Sequence, residues 1–338
     1  MIRGFIEKLV EFRDLSPEEA SSAMHLIMQG AVTPAQMGSF LTALRMKGET
    51  TRELAAFAQV MRSRAVTITP RIEGILVDTC GTGGDGAHTF NISTAAAFVA
   101  AGAGIPIVKH GNRKSSSRCG SADVLEELGL VLTLEPDQIQ SILETQHIAF
   151  LFAPLHHPAM RSAAEVRREI GIRSAFNLLG PLSNPAGVQA QVVGVYAPFL
   201  TEKVAEVLAL LGSRRAMVVH GDGLDEITTL GDTKVSELKN GIIANYILRC
   251  SDFGIEKGSP EDLRGGDAKE NARIILEVLG GERGAHRDIV IANAGAAIYV
   301  GEKVHNLGSG FEKAKISIDS GMALETLSRL IDATKEAS

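Results

Sequence analysis

Tryptophan is absent from this chain, and aromatic residues make up only 4% of it. General nucleic-acid binders stack bases on aromatic rings and carry excess positive charge. Here 34 basic residues stand against 40 acidic ones, a formal net charge of −6, which argues against that class. Long apolar runs are also missing. The most membrane-like stretch, Ala95 to Val108, has fourteen residues interrupted by Gly102, Gly104 and Pro106, short of the roughly 18–20 that a spanning helix needs. The start carries Arg3, Glu7, Lys8 and Glu11 and does not read as a signal peptide. Only Cys80, Cys119 and Cys250 are present, without CxxC or zinc spacing. An odd count with no export signal points to reduced thiols in the cytoplasm. No Ser-His-Asp arrangement, nucleophile elbow, NTPase loop or dinucleotide fingerprint is found.

Glycine, by contrast, is abundant: 35 of 338 residues, eight of them between positions 81 and 120. Length allows one large or two modest domains. The first 65 residues read as an all-α unit of about four helices. Ser16-Pro17-Glu18-Glu19, Thr33-Pro34-Ala35-Gln36 and Thr50-Thr51-Arg52-Glu53 each place Ser or Thr three residues before Glu or Gln, the capping-box signature of a helix start. Pro70 interrupts the pattern at a candidate linker. Beyond it, strand signals at 75–78, 105–108, 148–152, 191–196, 216–220 and 242–248 alternate with helical stretches at 201–211, 268–279 and 322–334. The expected fold class is α/β: a small helical N-terminal domain (1–66), with helices around 158–178 as candidates to complete it, and a larger α/β domain (74–338) on a mostly parallel sheet. Ligands of such sheets collect at the carboxyl ends of the strands.

Two loops carry anion-binding chemistry. Asp78-Thr79-Cys80-Gly81-Thr82-Gly83-Gly84-Asp85-Gly86 follows a strand, and its glycines let a ligand approach bare backbone N–H groups. Thr89 and Asn91-Ile92-Ser93-Thr94 follow at the next helix start, where anions are favoured. After the second strand, Lys109-His110-Gly111-Asn112-Arg113-Lys114-Ser115-Ser116-Ser117-Arg118 mixes cations and hydroxyls with no acid, a composition suited to phosphate. Ser121 lies just beyond. A third segment, His220-Gly221-Asp222-Gly223-Leu224-Asp225-Glu226-Ile227, puts carboxylates after a strand and suggests Mg²⁺ completed by ligand phosphates and water.

The order GTGGDG (81–86), TFNIST (89–94), KHGNRKSSSRCGSAD (109–123), RREIG (167–171), FNLLGPLSNPA (176–186) and HGDGLDEI (220–227) resembles the anthranilate phosphoribosyltransferase family over essentially the whole chain. The resemblance implies the nucleoside phosphorylase/phosphoribosyltransferase two-domain fold. It implies transfer of phosphoribosyl from phosphoribosyl pyrophosphate (PRPP) to the amine of anthranilate, with release of pyrophosphate, in tryptophan biosynthesis. It assigns Gly81, Gly84, Asp85, Thr89 and Asn91 to Thr94, with Lys109 to Ser117 and Ser121, to PRPP. Gly81, Asn112 and Arg167 go to anthranilate, with Arg167 meeting its carboxylate, and Ser93, Asp225 and Glu226 to Mg²⁺. His110 and His157 line the entry path. A homodimer is implied, with no nucleic-acid or membrane partner. No residue is expected to act as a nucleophile, because the aryl amine attacks and the protein stabilises a departing polyanion. Cys80 replaces an aliphatic residue usual in the family, and Glu165 departs from its pattern beside an anionic substrate. Alternatives are a nucleoside phosphorylase, which shares the plan but not the 109–123 run, and a non-catalytic ligand- or nucleic-acid-binding relative, opposed by the Asp225–Glu226 pair and a pI of about 5.9.

Overall fold

The computed structural model describes residues 1–114, 118–255 and 257–338. Four helices open the chain: α1 (Ile2–Val10), α2 (Pro17–Met28), α3 (Pro34–Lys47) and α4 (Thr51–Ser63). All three expected capping boxes form, with Ser16, Thr33 and Thr50 each accepting from the N–H three residues on. Pro17 and Pro34 occupy the first helical turn, where no N–H partner is needed. The box at Thr50 does more than start a helix. Glu53, fully buried, accepts from the N–H groups of Thr50 and Leu15 at 2.8 and 2.9 Å and pairs with Lys47 at 2.8 Å. One carboxylate thereby ties α4 to the α1–α2 connection.

Next come β1 (Val77–Gly81), α5 (Ile92–Gly102), β2 (Ile107–Gly111), α6 (Ser121–Glu127), α7 (Pro136–Gln146) and β3 (Ile148–Phe152). A helical excursion follows: α8 (Ala153–His156), α9 (Arg161–Ile170) and α10 (Ala175–Leu182). The chain then returns through β4 (Ala190–Gly194), α11 (Leu200–Leu210), β5 (Arg215–Gly221), β6 (Thr233–Lys239) and β7 (Ile242–Leu248). It ends in α12 (Ala268–Leu279), α13 (Ala285–Val300), α14 (Leu307–Asp319) and α15 (Met322–Ala337). The strands form one sheet in the order β3-β2-β1-β4-β5-β6-β7, parallel from β3 to β5 and antiparallel at β6 and β7. The α/β class with a mostly parallel sheet is therefore observed. β1 begins two residues later than the sequence pattern implies, because the Leu76 N–H is taken by the Gln189 side chain and inter-strand pairing starts at Val77. β6 was not expected. Its signal was Asn240-Gly241, both at positive φ (50° and 82°), a two-residue turn joining β6 to β7.

Side chains alternate across the sheet and feed two cores. On β5, Met217 and Val219 join the core under α5 and α13, whereas Ala216 and Val218 join the one shared with the N-terminal helices. In that second core α9 packs on α2 and α3, α10 on α3 and α4, and α11 on α4. Arg62 on α4 donates to the Leu182 carbonyl at 2.7 Å, fastening the excursion to the N-terminal unit. Adjacent β1 and β4 head connections that run in opposite directions across the sheet, so the crevice above their carboxyl ends is the topological switch point.

Removing the Glu53 carboxylate leaves the buried Leu15 N–H and the half-buried Thr50 N–H without their acceptor, while Lys47 keeps Asp14 at 2.7 Å. Glu53→Ala is expected to cost about 2–4 kcal/mol in urea unfolding, the loss of an acceptor shared by two backbone donors, whereas the exposed Glu18→Ala should leave the urea midpoint close to wild type.

Candidate active site

At the switch point the β1 loop crosses beneath the β5 loop. Thr82 N–H donates to Gly194 O of β4 at 2.9 Å, and Gly83 N–H to Asp225 Oδ2 at 2.7 Å. Asp225 fits there because two neighbours lack side chains: a Cβ on Gly81 would strike its carboxylate, and one on Gly194 its backbone. Gly83 and Gly84 turn at φ of +64° and +79°, a left-handed path that favours glycine. Asp85 accepts from Asp225 N–H at 3.4 Å, and Glu226 accepts from Ser93 N–H at 3.2 Å at the start of α5. Three carboxyl groups thus meet at one wall, partly open to a cavity and enclosed by protein elsewhere. Burial, then the nearby Asp85 carboxylate, pushes Asp225 up to about 7. Burial and Asp225 push Glu226 well above the carboxylate range. The compensating cation is Lys109 on β2, which is buried and donates to Thr79 O and, at 3.1 Å, to Ser93 Oγ.

Two cavities adjoin. The first, about 310 Å³ and polar, is lined by the glycine loop, the start of α5, the end of β2, Ser121, Asp225 and Glu226. It gathers Gly81, Gly84, Asp85, Thr89, Asn91, Ile92, Ser93, Thr94, Lys109, His110, Gly111, Asn112 and Arg113 from the expected set. Ser115, Ser116 and Ser117 lie outside the described residues, and Lys114 is absent from this wall. Its N–H, with that of Gly120, bonds Asp123 Oδ2 at 2.8 and 2.9 Å. Arg113 pairs with Glu126 and lies over the Phe152 ring at 5.4 Å, so its charge is already engaged. The first N–H groups of α5 are engaged as well: Ile92 to Phe90 O, Ser93 to Glu226 and Thr94 to Asn91 O. Thr94 Oγ1 is buried without a partner among the described residues.

The second cavity, about 270 Å³, shares His110 and Asn112 with the first and extends between Met61, Phe176 and α9. Arg161 and Arg167 line it, and no carboxylate does. Arg167 sits over Phe176 at 5.4 Å, has no acidic partner among the described residues, and is held below its usual pKa by burial. Gly81, expected at both substrates, lines the polar cavity only, and Glu165 points to solvent. His110 Nδ1 donates to Gly180 O at 3.2 Å and His157 Nε2 to Ser183 O at 3.1 Å, leaving His110 Nε2 and His157 Nδ1 bare. The rings lie 5.1 Å apart. Burial first, then mutual repulsion, holds His110 near pKa 3. Burial and His156 hold His157 near 4.

Several functional positions escaped the sequence reading. Asp78, fully buried, accepts from His110 N–H at 3.2 Å and Asn184 Nδ2 at 2.9 Å, while the same Asn184 amide donates to Val108 O at 3.0 Å. That pins the end of β2 where the cavities meet. Arg173 donates to Gly84 O and lies over the Tyr196 ring at 4.5 Å, clamping the glycine loop from outside. Arg161 and Asn177 also line the cavities. Asn184 stood in a recognised motif, but nothing in its spacing linked it to Asp78.

A crevice of carboxylates, amides and one buried cation adjoins an arginine-bearing apolar pocket, and the class of the chain is that of the glycosyltransferases. Both halves of the chain match that class: residues 3–65 the glycosyl transferase family helical bundle domain, and 73–324 the glycosyl transferase family a/b domain. The chain belongs to the anthranilate phosphoribosyltransferase family. It is 59% identical to the anthranilate phosphoribosyltransferase of Methanocorpusculum labreanum, over 98% of this chain and 97% of that one. The structure of the Thermus thermophilus enzyme superposes with a TM-score of 0.93 at 41% identity, covering 98% and 99% of the two chains. The Saccharomyces cerevisiae enzyme in complex with PRPP and Mg gives 0.90 at 30% identity, covering 99% and 98%.

Because His110 and His157 are held neutral, the unfolded chain takes up protons first as pH falls below about 6.5. Their contribution is fully present above that pH and is lost on going down towards the folded values near 4 and 3. The share of the pH dependence due to these two rings should therefore lower the urea midpoint between pH 7 and 4, opposite in sign to the share of the raised Asp225 and Glu226 carboxyls. His157→Gln should be destabilised less than wild type on going from pH 7 to 4, measured as the difference from wild type at each pH.

Proposed function

We infer that this chain transfers the 5-phosphoribosyl group from PRPP to the amine of anthranilate, releasing pyrophosphate, as a step of tryptophan biosynthesis in the cytoplasm. The supporting observation is the junction of the two cavities at His110 and Asn112. A sugar held in the polar cavity presents its anomeric carbon to an acceptor in the arginine-bearing one. No helix of the described residues is long and apolar enough to cross a membrane.

The donor set fits Mg²⁺. Asp225 and Glu226 are crowded carboxyls that resist ionising without a cation. Two carboxyls and a hydroxyl suit an ion that completes its octahedron with water and phosphate oxygens. Asp225, Glu226 and Ser93 would hold it. Bound there, the ion offsets negative charge building on the departing pyrophosphate. Lys109 adds a fixed positive charge beneath the α5 start, and the glycine loop and Ser121 supply donors to the sugar phosphate and diphosphate.

On the acceptor side, Arg167 receives the anthranilate carboxylate and Phe176 supports the guanidinium. The acid-free wall avoids repelling the substrate, and the bare Nε2 of His110 accepts from the amine. With a pKa near 3, His110 orients the amine rather than removing a proton from it. The aryl amine is the nucleophile, and holding it near the anomeric carbon lowers the barrier by proximity. We assign 1–66 with the helices of 158–178 to the helical domain and 74–338 to the α/β domain. A homodimer is what the family implies; Val10 at the end of α1, Phe12 just beyond it and Met46 on α3 are exposed apolar residues of the N-terminal unit that an interface would cover.

Fluorescence of phosphoribosylanthranilate formation tests the reading: turnover is expected with PRPP and Mg²⁺ and lost with a chelator. Absence of turnover with anthranilate at saturating PRPP overturns it, and phosphorolysis of nucleosides would favour the phosphorylase instead. Arg167→Ala should raise the KM for anthranilate about 10- to 100-fold, the loss of one charged hydrogen bond, with the KM for PRPP within about twofold. Equal losses in both would contradict the assignment of Arg167. Asp225→Asn should lower kcat about 100-fold or more and weaken the Mg²⁺ dependence.

A further inference from the structure

One buried amide outside both cavities governs how the two ligand loops face each other. Asn271 lies in the first turn of α12, 1% exposed and 180 residues from Asn91. Its Oδ1 accepts from Gly266 N–H at 2.7 Å, and its Nδ2 donates to Asn91 Oδ1 at 2.9 Å. The same side chain hydrogen-bonds the Cys119 thiol. Asn91 donates in turn from Nδ2 to Cys119 O at 3.3 Å. Although Asn91 holds the N-cap position of α5, its side chain makes no capping bond.

The direction of this chain is fixed at both ends. The Gly266 N–H can only donate and the Cys119 carbonyl can only accept, so each amide between them has one permitted orientation. Asn91 belongs to the connection after β1 and Cys119 to the connection after β2. Asn271 thus braces both walls of the polar cavity from behind. The surrounding backbone reinforces the brace. Gly265 N–H donates to His88 O at 2.9 Å, Phe90 N–H to Leu263 O at 3.3 Å, and a Cβ on Gly265 would come within 2.6 Å of the Phe90 backbone.

We propose that Asn271 is a positioning residue for PRPP: acting through Asn91, it sets the spacing of the two loops without touching the ligand. The proposal rests on the reading of the polar cavity as the PRPP site. Asn271→Asp preserves size and the acceptor for Gly266, but turns a second acceptor towards Asn91 Oδ1. Asn91 must then reverse its amide, which leaves Cys119 O without its donor.

Calorimetric titration with PRPP and Mg²⁺, together with steady-state kinetics, tests this. For Asn271→Asp, the Kd and KM for PRPP should rise about tenfold, with the KM for anthranilate within about twofold of wild type. Ser317→Ala is the comparator, since it removes a buried bond to Val99 O (2.8 Å) remote from both loops. It should lower Tm without moving the Kd for PRPP. Asn91→Ala combined with Asn271→Asp should cost little more than Asn91→Ala alone, since both act through one contact. Asn271→Ser serves if the aspartate variant does not fold. An Asn271 variant that lowers Tm but leaves the Kd for PRPP within about twofold overturns the proposal, as does full additivity with Asn91→Ala. Wild-type protein that binds no PRPP overturns the reading of the cavity, and the proposal with it, before any variant is compared.

Discussion

Three carboxyl groups, Asp85, Asp225 and Glu226, gathered at one edge of a parallel sheet form the constraint on which the rest of the site depends. Placing them together opposes ionisation of Asp225 and Glu226, and the chain offsets this only in part. Gly83 N–H, Ser93 N–H and the Lys109 ammonium supply positive ends of dipoles and one full charge. The remaining deficit is what the proposed Mg²⁺ and the diphosphate it would carry offset. Absent side chains at Gly81 and Gly194 are the steric condition for the arrangement, because Asp225 occupies the space they leave. The cluster of glycines after β1 is therefore as much about admitting a carboxylate from the β5 loop as about exposing backbone to a ligand.

The second cavity solves the opposite electrostatic problem. Its lining has two arginines, two neutral histidines and no acid, a composition that suits the anionic acceptor proposed for it. The buried Asp78–Asn184 pair holds the end of β2 between the compartments, so that His110 and Asn112 face both. Distance between the compartments is thus set by the buried Asp78 and Asn184 side chains, which hydrogen-bond the β2 backbone at His110 N–H and Val108 O. That division suits a reaction whose barrier falls chiefly through charge offset and approach.

Much of the plan was legible along the chain. The capping boxes at Ser16, Thr33 and Thr50 formed as read, and the helix at Ala268–Leu279 has the expected ends. Strand ends drifted by about two residues at β1 and β2, because pairing depends on a neighbour the pattern does not show. β6 went unread since its alternation was weaker than its turn. Within the site, the residue types of the anion loops were legible, but their engagement was not. Arg113 faces Glu126 rather than open space, the first N–H groups of α5 are satisfied internally, and Arg173 grips Gly84 from a segment with no motif of its own.

The amino-acid sequence by itself determined where helices start, which loops can bend left-handed and which carry donors. Those outcomes follow from contacts spanning a few residues, whose energies are complete without the rest of the molecule. Tertiary structure alone decided which loops confront each other. Gly83 meets Asp225 across 142 positions and Asn91 meets Asn271 across 180. Such pairings exist only after the order of strands brings β5 beside β4 and packing sets α12 against α5 and α6. The charge crowding that raises Asp225, and the burial that silences His110, arise at that stage, since both depend on how much water the packed neighbours exclude.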